Sequence, residues 1–306
     1  MLISSRVRAH GGGSRDRYTS YVASVFGAEF TTPGTSRGLL SVPQYGYLLR
    51  RIVRKDVQVR YRGSVLGWVW SYAKPAVQFL VYYLAIGVFL RAGGDIEAFP
   101  IYLFSGLVLV NFFSEAFGNA TRSLIDNASL IKKIYMPREL FPVATTFIAI
   151  VNFIPQVVIL LVVCIFVGWQ PTVLGILAIL TAIVIIALLA TGLGMFFGAI
   201  NVSFRDSQNF VDLILMIATW ASPVLYSTAL LQNAPTWVYV VYNLNPITPA
   251  VELMHYGFWE GVLTTPHPLS TGFTWFTLTS FVTALIVILV GQLVFRRLEG
   301  RFAQDL

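Results

Sequence analysis

Residues 123–140, SLIDNASLIKKIYMPREL, stand between two long apolar runs and are unlike either. They bring Lys132, Lys133 and Arg138 together with Leu124, Ile125, Leu130, Ile131, Ile134 and Tyr135. A solvent loop has no need of so many large apolar side chains, and a membrane-crossing segment excludes these charges. The stretch therefore ends one crossing and begins another. The runs beside it, 99–118 and 141–167, meet the roughly 20 residues that a helix needs to span the hydrocarbon core.

Four more such runs lie near 70–90, 173–200, 209–227 and 274–295, the first with Lys74 placed to snorkel to the interface. The chain is 56% hydrophobic and 11% charged, with a mean hydropathy of +0.72. That leaves too little polar surface for a soluble domain. The expected fold is an all-α integral membrane protein with six transmembrane helices. Its parts are a mobile polar tail over 1–42, an amphipathic helix over 43–64 and a transmembrane domain over 65–306.

Lys and Arg fix the orientation. Eleven precede the first span, four lie in 119–140, Arg205 follows the fourth span, and Arg296, Arg297 and Arg301 close the chain. The other side holds Arg91 alone. This asymmetry puts both termini in the cytoplasm, with six crossings. The net charge of +7 is thus a topology signal, and nucleic-acid binding is not expected. Residues 4–38 lack the continuous apolar core of a secretory signal.

Catalytic signatures are absent. No GxxxxGK[ST] occurs, so the chain has no phosphate-binding loop of its own. His10, His255 and His267 are too scattered for a helical metal pair. The single Cys164 lies inside a span. Glu115 and Asp212 fall near the cytoplasmic ends of their spans, and no carboxylate marks a midplane, as an ion-driven carrier would require. The expectation is no enzyme, no metal and no cofactor in this chain. Energy for uphill transport would come from a partner.

Two segments are built to touch something. In PQYGYLLRRIVRKDVQ, 43–58, Tyr45, Leu48, Leu49, Ile52 and Val53 share one helical face and Arg50, Arg51, Arg54 and Lys55 the other. Such a helix lies in the headgroup layer against membrane lipid, or is a solvated basic segment. In 123–140, Leu124, Ala128, Ile131 and Tyr135 repeat at helical spacing up to Pro137. That stripe docks in the groove of an ATPase, or rests on the membrane. Gly194 and Gly198 form a GxxxG that fits a dimer seam or packing within the subunit.

RKDVQVRYRGSVLGWVW (54–70), NASLIKKIYMPREL (127–140), NVSFRDSQNFVDLIL (201–215), ASPVLY (221–226) and LNPITPAVELMHYGFW (244–259) together resemble the permease subunits of ABC-2 polysaccharide exporters. That group includes O-antigen (Wzm-type), teichoic acid and galactan transporters. The resemblance covers about 45–300, and the first 40 or so residues depart from it. It implies a homodimer above two cytoplasmic ABC ATPases, which bind the ATP and Mg. It implies that 127–138 is the coupling helix, with Leu130, Ile131, Lys132, Lys133, Ile134, Tyr135 and Arg138 as its contacts, and that 43–62 is the interface helix. It implies external gate helices over 230–260 and a lipid-linked polysaccharide as cargo. Arginine outnumbers lysine 17 to 4, the bias of a GC-rich genome. For such a genome the resemblance points to cell-wall galactan, with an O-antigen-like glycan as the other choice.

Tyr82, Tyr83, Phe112, Phe113, Trp220 and Tyr226 are candidates to line the glycan channel, or else they pack against lipid. In the last connection, one apolar piece runs from Trp237 to Leu244 and stops at Pro246. A second opens with Thr248 as N-cap and Pro249 at the first helical position, aligning Val251, Met254 and Phe258. Both are too short to cross, so they are expected to enter from outside and return as a gate. Competing readings are an ABC-2 drug or peptide permease and a membrane enzyme acting on lipid-linked sugar. The enzyme would need paired carboxylates or a metal site.

Overall fold

In the computed structural model, residues 38–60, 69–90, 96–133, 136–228, 234–264 and 272–305 are described, and among them no strand occurs. A 3-10 segment, Gly38–Tyr45, leads into α1 (Gly46–Arg60). The long helices α2 (Trp70–Phe89) and α3 (Phe99–Asp126) follow, then the short α4 (Ala128–Lys133). After these come α5 (Leu140–Val167), α6 (Val173–Ser203), α7 (Ser207–Trp220) and α8 (Thr236–Leu244). Helix α9 (Ile247–Met254) continues into a π-helical turn, His255–Trp259. Helix α10 (Phe273–Glu299) and the single turn α11 (Phe302–Asp305) complete the order.

Local chemistry sets these ends. Gly168, at φ 98°, supplies the left-handed residue that closes α5. Thr172 caps α6 by accepting the Gly175 N–H at 3.0 Å. Pro100 sits in the first turn of α3, where no N–H is needed.

Among the described residues, five helices are long and apolar enough to cross a membrane: α2, α3, α5, α6 and α10. The expected crossing at 209–227 is different. Helix α7 has 14 residues, about 21 Å at 1.5 Å per residue, against a core of about 30 Å. It stops because Pro223 cannot continue a helix and because the chain beyond is tied into turns. Ser222 Oγ donates to Ala218 O at 2.8 Å, and Tyr102 Oη donates to Pro223 O at 2.8 Å and Tyr226 O at 2.9 Å.

Helix α6 is central, with α10 on one side and α3 on the other, and α3 also packs on α5. Small residues permit this. A Cβ on Gly192 would lie 2.6 Å from the backbone of Ile288, so α6 and α10 meet backbone to backbone. Gly194 and Gly198 rest on Ala120 of α3, so the GxxxG seam lies within the subunit.

Two clusters of buried side chains result. The larger joins α3, α5, α6 and α9. The smaller gathers Val42, Ile52, Leu124, Ile131, Leu140, Met195, Phe295 and Phe302 at the end of the bundle where Lys and Arg concentrate. Ser41 and Val42, at the expected tail boundary, lie in the 3-10 segment and are buried. Residues 1–37 and 61–64 lie outside the described residues. Helix α2 buries no residue, and α7 buries only Ser207, Val211 and Ala218.

Candidate functional site

At the basic end, α3 breaks at Asn127, whose side chain donates to Ser123 O at 2.9 Å. Its carbonyl accepts the N–H groups of Leu130 and Ile131 at 2.9 and 3.0 Å, starting α4. The apolar stripe faces home. Leu124 and Ile131 are buried, and Leu130 packs beside them. What α4 presents outward is Ser129, Lys132 and Lys133. Ile134 and Tyr135 lie outside the described residues. In the described part of the expected docking stripe, Leu124 and Ile131 pack in the chain's own second core, and Lys132 and Lys133 are left exposed.

Arg138 also turns inward. Its Nη1 donates to the carbonyl of Glu299, and its guanidinium lies 5.6 Å from the centre of the Phe302 ring. Helix α1 behaves similarly: Ile52 is buried, Leu48 and Leu49 pack on the second core, and Arg50, Arg51, Arg54 and Lys55 remain exposed. Between α1 and α4 lies a cleft of about 570 Å³ with Arg51, Arg54 and Lys55 on one wall and Leu48, Ile52, Leu130 and Met136 within. At the end of α1, Arg60 pairs with Glu115 of α3, and Asn152 Nδ2 donates to the same carboxylate oxygen at 2.6 Å.

At the opposite end, α9 starts at Ile247, one residue before the expected cap. Pro246 holds the N-cap position expected of Thr248 and has no side-chain cap, while Asn245 Oδ1 accepts the Ile247 N–H at 3.2 Å from the residue before it. Thr248 instead reaches Ala221 O at 3.3 Å, alongside Asn245 Nδ2 at 2.8 Å. Val251, Met254 and Phe258 do share a face, and all three are buried. Pro249 is buried with them. His255 stacks on Tyr102 with ring centres 3.8 Å apart, its Nε2 lying 3.1 Å from Tyr102 O. Trp259 Nε1 donates to Glu97 O at 2.6 Å. Helix α8 is far less covered, exposing Trp237, Val241 and Leu244. Between α7 and α8, Ile214, Ile217, Trp237, Val241 and Tyr242 line a cavity of about 550 Å³.

The expected channel aromatics separate into two groups. Phe112 and Phe113 are buried in the larger core, against Phe153 and Phe117. Tyr82, Tyr83 and Tyr226 are partly exposed, and Trp220 is exposed. Sequence reasoning missed His255, Tyr102 and Arg138 as joints of the fold. Spacing alone carries no signal for partners 153 or 161 residues away.

These helices, with no strand among the described residues and five membrane-length members, define a multi-pass membrane protein. The chain belongs to the ABC-2 type transporter family, matched over residues 47–259. It is 28% identical over 263 residues to the O-antigen export system permease protein RfbA of Klebsiella pneumoniae, covering 85% of this chain and 95% of that protein. The protein of the same name in Myxococcus xanthus is 31% identical over 227 residues, covering 74% and 85%. The polysialic acid transport protein KpsM of Escherichia coli is 20% identical over 249 residues, covering 80% and 91%.

Proposed function

We propose that this chain is the membrane subunit of an ATP-driven exporter that moves a lipid-linked polysaccharide out of the bacterial cytoplasm. The observation that carries this is the match over 47–259 to a transporter family, together with relatives named for O-antigen export and polysialic acid transport. The chain has no phosphate-binding loop, so ATP and Mg belong to two ABC ATPase subunits beneath it. In this reading Lys132 and Lys133 of α4 meet the ATPase, and the basic face of α1 meets lipid headgroups or the ATPase beside it.

Helix α7 and the turn at 221–226 make the sixth crossing, which returns both termini to the cytoplasm. Helices α8 and α9 enter from outside and leave on the same side as the external gate. A second copy covers α2 and α7, which expose apolar faces along their length, and the glycan passes between the copies past Tyr82, Tyr83, Trp220 and Tyr226. Cell-wall galactan or an O-antigen-like glycan is the cargo.

Depletion of the chain in its host tests this. Lipid-linked glycan should accumulate inside the cell while its surface form falls. Unchanged surface glycan, with loss of resistance to a drug or of peptide secretion instead, would favour the other permease reading.

A further inference from the structure

Helix α4 has six residues, too few to hold its own shape or direction, since isolated helices need a dozen or more residues even to be marginal. Something must fix the angle at which it meets α5, and Pro137 between them contributes no N–H. The segment after α10 supplies the support. The backbone turns at Arg301, whose N–H donates to Leu298 O at 2.9 Å, bringing α11 back beneath the bundle. Phe302 is fully buried and meets Phe295 edge-on at 5.2 Å. Arg138 lies over that ring and donates to Glu299 O. Asp305 Oδ2 accepts from Ser203 Oγ at 2.8 Å, pinning α11 to the end of α6. Glu139 and Glu299 are buried at the same joint. One four-residue turn thus ties together the elbow after α4 and the ends of α6 and α10.

We propose that Phe302–Asp305 is a strut that sets the angle of α4, with Phe302 and Arg138 as positioning residues for energy transfer. Arg138 then acts through its own chain and makes no contact with the ATPase. A push on Lys132 and Lys133 is delivered to α6 and α10 because the elbow cannot fold away beneath it. Without the strut, the push is absorbed before it reaches α5. This rests on the reading that α4 is the ATPase contact.

Two readouts test it on chains carrying Phe302→Ala, Asp305→Ala or a deletion of 302–306. In the purified permease alone, amides of 128–140 should exchange roughly tenfold faster, while those of α6 and α10 keep their protection. In the complex with its ATPase in proteoliposomes, ATP hydrolysis should persist while glycan moved per ATP falls roughly tenfold, and Phe302→Tyr should restore the ratio. Unchanged exchange over 128–140 would overturn the strut, whatever α4 touches. Faster exchange with an unchanged ratio would overturn its role in energy transfer. If Lys132→Glu with Lys133→Glu leaves the ATPase bound, the contact reading fails, and the exchange readout still decides on the strut. Should Phe302→Ala fail to insert, Asp305→Ala removes only the surface tie to Ser203.

Discussion

Ile131 and Lys132 are neighbours in sequence and opposites in role. Ile131 is 8% exposed among apolar side chains of its own chain. Ile131→Asp buries a charge with no partner, at a cost on the order of 3 kcal/mol or more. The variant should lose folded permease from detergent extracts, seen as a fall in Tm or as aggregation on size exclusion. Lys132→Glu with Lys133→Glu should leave the melting curve in place and abolish co-purification with the ATPase. If Ile131→Asp folds normally and only loses the ATPase, α4 docks by its apolar side after all. At the other end, Trp259→Phe removes the bond to Glu97 O, at about 0.5–1.5 kcal/mol. Its Tm should fall, whereas Trp237→Phe, on the exposed α8, should leave Tm unchanged.

At the scale of elements, the α6–α10 seam is the place where one added carbon does most harm. Gly192→Val puts carbon within 2.6 Å of the Ile288 backbone, and backbone cannot step aside as a flexible side chain can. The permease should be degraded or misassembled in membranes. Gly46→Ala, where nothing lies within 4 Å, is the control and should be silent by immunoblot and Tm. The long helices were legible because a run of about 20 apolar residues has little use outside a membrane. The end of α7 was not, because it depends on Tyr102 holding the carbonyls of Pro223 and Tyr226 from more than 120 residues away. The stripe on α4 was legible as an apolar face but not as to what it faces. Periodicity reports that a side is buried, and only the position of Val42, Ile52 and Phe302 shows against what. Thr248 does not cap α9 for a similar reason: the helix already starts at Ile247, and the Thr248 hydroxyl is committed to the carbonyl of Ala221.

For the whole molecule, α2 and α7 are the unfinished parts. Helix α2 touches its own subunit through half-buried Phe79, Tyr82, Tyr83 and Ile86 and buries no residue fully. Helix α7 exposes Asp212, which pairs at the surface with Arg122 at 3.4 Å and accepts from Gln208 Nε2 at 3.1 Å. A second copy over this side would bury both. Single cysteines at Ile214 or Val81, on a Cys164→Ser background, should form disulfide-linked dimers in native membranes. Cysteine at Val158 of α5, exposed but on a helix already packed on α3, should not. Equal cross-linking at all three would indicate random collision. The most direct measurement of the central claim is transport itself. The permease and its ATPase are reconstituted in proteoliposomes with lipid-linked glycan on the side of the ATPase, and glycan reaching the opposite side is captured by a lectin or a glycosidase. The account predicts glycan transfer that requires hydrolysable ATP and stops when Lys132→Glu and Lys133→Glu are introduced together. Transfer without ATP, or ATP hydrolysis stimulated only by a drug or peptide with the glycan left in place, would contradict it.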